Sequence, residues 1–82
     1  MDSGSYQAIV GKIIPKGRHG PYAVAHCQEF GAVTFSLDLP VWQEEGWPES
    51  GMYVVLSQVR KKRAGWRAKS VRFAALFDQN VS

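Results

Sequence analysis

The chain has 82 residues, 45% of them hydrophobic and 21% charged, with one cysteine and a formal net charge of +3. That is room for a single domain with one small core. The composition is too apolar for a disordered chain, and no apolar run approaches the ~20 residues of a membrane span. The lone Cys27 rules out an internal disulfide, so packing must hold the fold, and a reducing cytoplasm is the expected setting.

Met1 to Ser5 is polar and lacks the charged-then-apolar order of a signal peptide. Residues 1–4 and 78–82 read as flexible ends around one domain spanning 5–77. From Tyr6 to Ile14 the apolar residues Ala8, Ile9, Val10, Ile13 and Ile14 predict a first strand, with a bend or bulge at Gly11. Pro15 to Pro21 is dense in turn formers and predicts a loop. Tyr22 to Cys27 follows as a second strand, with Tyr22, Val24 and His26 on one face and Ala23, Ala25 and Cys27 on the other. Gln28-Glu29-Phe30-Gly31 predicts a tight turn.

Ala32 to Leu37 carries the clearest alternation, Val33, Phe35 and Leu37 inward against Thr34, Ser36 and Asp38 outward. Asp38 to Glu45 suits one helical turn, with Asp38 as its cap and Pro40 near the first position. Gly46, Pro48 and Gly51 stop anything longer. Met52 to Val59 predicts a fourth strand, Lys61 to Gly65 a turn, and Trp66 to Phe73 a fifth strand that Ala74 to Phe77 extends or leaves as a tail. Five short strands with turn signals throughout indicate a small all-β barrel.

The charge is segregated along the chain. Arg60 to Arg72 holds seven cations and no carboxylate: Arg60, Lys61, Lys62, Arg63, Arg67, Lys69 and Arg72, with Trp66 among them. Asp38 to Glu49 holds four carboxylates and no cation. A basic side bearing an aromatic ring suits a polyanion whose flat bases stack.

Several short motifs resemble the cold-shock domain, the compact five-stranded version of the oligonucleotide-binding (OB) barrel. The apolar first strand runs into Lys16-Gly17. Ala32-Val33-Thr34-Phe35-Ser36 stands where that family has its valine-phenylalanine-valine-histidine strand. Pro48 to Val54 resembles the acidic-glycine approach to strand four, and Gly65 to Val71 the closing strand. The resemblance implies a small five-stranded antiparallel OB-fold barrel that binds single-stranded nucleic acid, RNA ahead of DNA. The family's row of stacking aromatics is missing: the first strand has no tryptophan, and Thr34 and Ser36 occupy the sites of the stacking phenylalanine and histidine. The wider barrel superfamily includes the RNA-binding repeats of ribosomal proteins.

In such barrels the loop between strands one and two and the loop between strands four and five flank one binding face. Both are basic here. The candidate site therefore comprises Lys12, Lys16, Arg18, His19 and Tyr22 on one side, and Arg60, Lys61, Lys62, Arg63, Trp66, Arg67 and Lys69 on the other. The plainer alternative is a solvated turn with Trp66 packed under the barrel rim. Trp42 and Trp47 are read first as plugs for an open barrel end, and otherwise as anchors for a protein or ribosomal partner. No catalytic, metal or cofactor motif is recognisable: His26 and Cys27 are neighbours on a strand and face opposite sides. The sequence thus predicts a monomeric, non-catalytic, cytoplasmic binder of single-stranded RNA or DNA without cofactor or membrane, with a protein-docking adaptor as the rival.

Overall fold

The computed structural model describes residues 4–74; the expected terminal segments, Gly4 apart, and the extension beyond Ala74 lie outside them. The described residues form five strands: β1 (Ser5–Ile14), β2 (Tyr22–Cys27), β3 (Gly31–Ser36), β4 (Tyr53–Lys62) and β5 (Gly65–Phe73). They close into a barrel in the order β1-β2-β3-β5-β4. Among the described residues no helix is long and apolar enough to cross a membrane.

One expectation is corrected by simple geometry. An odd number of strands closed into a ring cannot alternate direction all the way round. The odd pair falls between β3 and β5, which run parallel through Val33↔Trp66 and Thr34↔Arg67, while every other neighbouring pair is antiparallel. The architecture, a small closed barrel of mixed strand direction, is compatible with the oligonucleotide-binding type.

Alternation places the core as the sequence suggests. Ala8 and Val10, Ala23 and Ala25, and Val33 and Phe35 point inward and are buried, with Leu37 and Cys27 beside them. Gly11 is the expected bulge, where the β1–β2 register shifts between Val10 and Lys12. The inward parity of β4 changes between Leu56 and Val59. Gln58 takes a φ of 54°, a left-handed conformation uncommon outside glycine, in that same stretch. Met52, read as the first residue of the fourth strand, lies just outside it and is 40% exposed, and its sulfur accepts from the Glu49 N–H at 3.4 Å.

The expected helical turn is only a turn. The Asp38 carbonyl accepts from the N–H groups of Val41 and Trp42 at 3.0 and 3.1 Å, and the chain then leaves to pair with β5. Val41 and Gln43 both exchange backbone hydrogen bonds with Val71, so the segment lies along β5. This places Trp42 over the barrel interior. Trp42 is 2% exposed, stacks on Phe35 at 6.0 Å, meets Phe73 edge-on at 4.9 Å, and donates its ring N–H to the Gly46 carbonyl at 2.9 Å. Trp47, by contrast, is 45% exposed. The plug reading holds for Trp42, which is too buried to anchor a partner, and not for the exposed Trp47.

Removing the plug leaves a cavity that a core this small cannot collapse to fill. Trp42→Ala is expected to cost about 3–5 kcal/mol in urea unfolding, while Trp47→Ala stays within about 1 kcal/mol.

Candidate nucleic-acid interface

The two basic turns border one groove. A cavity of about 550 Å³ is walled on one side by the β1–β2 loop, through Lys16, Arg18, His19 and Tyr22, and on the other by the β4–β5 hairpin, through Lys62 and Arg67. Thr34 and Ser36, on the outward face of β3, lie between them, and no lining residue is acidic. Asp38 reaches the rim at Gly20. Its Oδ2 stands 3.3 Å from where a Cβ on Gly20 would be.

The β1–β2 loop is held in shape by short contacts. Gly20 N–H donates to the Gly17 carbonyl at 3.2 Å, closing a turn with Arg18 and His19 at its centre. Leu37 N–H donates to the Pro21 carbonyl at 3.0 Å and pins the loop to the end of β3. Gly17 has no room for a side chain: a Cβ there would fall 2.5 Å from the Gly20 carbonyl oxygen and 2.7 Å from Cδ1 of Tyr22. One edge of the Tyr22 ring is therefore backed by the loop.

The hairpin differs from expectation in a way that sorts its residues. β4 runs on to Lys62 and β5 begins at Gly65, so only Arg63 and Ala64 form the turn. Arg60, Lys61 and Lys62 are strand residues, and strand residues alternate. Lys62 and Arg67 line the groove, whereas Lys61 pairs with Trp66 and holds its Nζ 5.6 Å from the indole centroid. Trp66 is not a groove residue. It is half-buried, packs on Phe30 at 4.6 Å and belongs with Tyr6, which meets Phe30 edge-on at 4.8 Å. Of the two expected stacking rings only Tyr22 lines the groove, because Trp66 lies on the inward side of β5 with the buried Ala68. Phe30 was legible only as a turn residue; nothing local marks it as Trp66's partner.

Register carries positive charge across the outer face. Lys12 pairs with Val24, Val24 with Thr34, Thr34 with Arg67, and Arg67 with Arg60. All three cations in this row are exposed. Arg60 and Arg67 face each other directly, an arrangement that costs roughly 0.2–1 kcal/mol relative to a neutral pair. Among the described residues Lys16, Arg18, Lys62 and Arg67 have no ion-pair partner. Arg63, at the hairpin tip, and Lys69, further along β5, are exposed and outside the groove lining.

The floor, which sequence reasoning left out of the site, offers neutral hydrogen-bonding groups. The Thr34 hydroxyl donates to the Trp66 carbonyl at 3.3 Å and keeps lone pairs free to accept. Ser36 Oγ accepts from the Asp38 N–H at 3.1 Å and keeps its proton free to donate. The outward alternation of β3 is the signal that marks both residues. Among the described residues no three histidine, cysteine or carboxylate side chains gather as metal ligands.

Comparison with family models, with curated proteins and with solved structures returns no match to this chain. The groove's geometry is testable without a ligand. Gly17→Ala drives a methyl against backbone and is expected to cost about 1–3 kcal/mol in urea unfolding. Gly46→Ala, where a Cβ would meet nothing within 4 Å, should stay within about 0.5 kcal/mol.

Proposed function

We propose that the protein is a non-catalytic binder of single-stranded nucleic acid built on an oligonucleotide-binding barrel of the cold-shock-like type. One observation carries the reading: two cationic segments far apart in sequence border a single groove whose lining has no carboxylate. Lys16, Arg18, Lys62 and Arg67 would contact phosphates and release counterions. Tyr22 would stack one base, and Thr34 and Ser36 would hydrogen-bond in the floor. The unrelieved Arg60–Arg67 pairing supports the same reading, since a phosphate between the two guanidinium groups turns a repulsion into an attraction. RNA is the preferred ligand by the family resemblance, and the lone buried Cys27 fits a reducing cytoplasm.

The adaptor reading keeps one anchor, the exposed Trp47, in the segment opposite in charge to the hairpin. It predicts binding that survives charge reversal in the groove.

Fluorescence anisotropy with a short single-stranded RNA separates the two. Four to six phosphate contacts give a slope of about −3 to −4 in log K against log salt. Affinity then falls about 50- to 300-fold between 50 and 200 mM salt. Lys62→Glu should weaken binding at least about tenfold. Arg67→Glu should do the same while placing a carboxylate opposite Arg60, so thermal stability holds or rises slightly as binding is lost. Trp47→Ala should leave RNA affinity within about twofold. An affinity independent of salt, or indifferent to both reversals, contradicts the reading.

A further inference from the structure

A second cavity, of about 340 Å³, opens on the same outer surface beyond Lys12. It is lined by Gln7, Ile9, His26, Gln28, Glu29 and Tyr53. Ile9 pairs across the sheet with both Tyr53 and His26, so the three stand side by side on β4, β1 and β2. Ile9 and Tyr53 are 41% and 42% exposed, large apolar surfaces turned to solvent at the cavity wall. The histidine has a seat built for it. A Cβ on Gly11 would lie 3.2 Å from His26 Cδ2, and Gly11 has no left-handed φ to require glycine on backbone grounds. The glycine at the bulge therefore gives the imidazole ring close approach to β1.

The two cavities lie on one track. Tyr22 lines the first and His26 the second, four residues apart on β2, or about 13 Å along an extended strand. Between them, on the same face, Lys12 pairs with Val24. A strand leaving the groove thus meets a cation for its phosphate and then a second aromatic wall. The chemistry changes at that wall. Glu29 repels phosphate, so the base is the part of a nucleotide that enters, and a carboxylate accepts from an exocyclic amine but is repelled by the carbonyl edge of uracil.

We infer that the second cavity is a base-reading subsite for the strand held in the groove: Tyr53 and His26 stack one base, and Glu29 selects an amino-bearing base such as cytosine over uracil. This rests on the nucleic-acid reading above and adds a sequence preference to it. Anisotropy on the full chain with oligo-cytidine and oligo-uridine of about eight nucleotides, within the span of one barrel, tests it. Oligo-cytidine should bind roughly five- to tenfold tighter. Glu29→Ala should erase that preference, and Tyr53→Ala should weaken oligo-cytidine at least about fivefold. Both side chains are exposed, and circular dichroism with thermal melts confirms that the variants fold. Equal affinity for the two oligomers with no effect of Tyr53→Ala, while Lys62→Glu still weakens both, overturns the subsite and leaves the groove standing. Absence of binding to either oligomer by the unaltered protein overturns the groove as well.

Discussion

The parallel seam between β3 and β5 is the constraint on which the rest depends. Five strands joined in a ring must contain one parallel neighbour pair, and here it is short, two residues on each strand. Through that seam Arg67 lies beside Thr34, which brings the β4–β5 hairpin next to the outward face of β3. The β1–β2 loop reaches the same face from the other side, tied by the Leu37–Pro21 hydrogen bond. Beyond the seam β3 and β5 diverge, and the Val41–Gln43 segment pairs along β5 at Val71 with Trp42 turned into the interior. The closure that makes the barrel therefore also makes the groove and determines where its plug sits.

The electrostatics oppose the fold locally. No polar or charged residue is buried among those described, so stability rests on apolar packing around Phe35, Leu56 and Trp42. The surface cations contribute nothing to that core, and Arg60 opposite Arg67 subtracts from it. On the proposed reading, a small domain keeps such a pair because the charge serves a ligand outside the fold. This is the trade between stability and binding expected where a site must attract a polyanion.

Much of the fold was legible in the sequence because strand alternation is a local signal. Val33-Thr34-Phe35-Ser36 announces which side is core, and Gly11 announces its bulge. The direction of β5 relative to β3 was not legible, since strand order in a closed ring is a global property. The site was legible as two charged segments, but its sorting was not. Whether Lys61 or Lys62 faces the groove turns on where β4 ends, and a hairpin turn of two residues instead of five moves Lys61 and Lys62 from loop to strand. Trp66 was misplaced for a related reason. A tryptophan amid cations looks like a stacking ring, and only the long-range approach of Phe30 reveals it as packing. Trp42 and Trp47, five residues apart in the same acidic stretch, have opposite fates for the same kind of reason: one is drawn inward by the pairing at Val71.

The central claim is that two distant basic segments act as the walls of one binding groove. The most direct measurement is a heteronuclear NMR titration of the protein with a short single-stranded RNA, following backbone amides. The account predicts that Lys16 to Tyr22, Lys62 to Arg67, and Thr34 and Ser36 shift together along one saturation curve. Shifts confined to one wall, or centred on Trp47 with both walls silent, would contradict it.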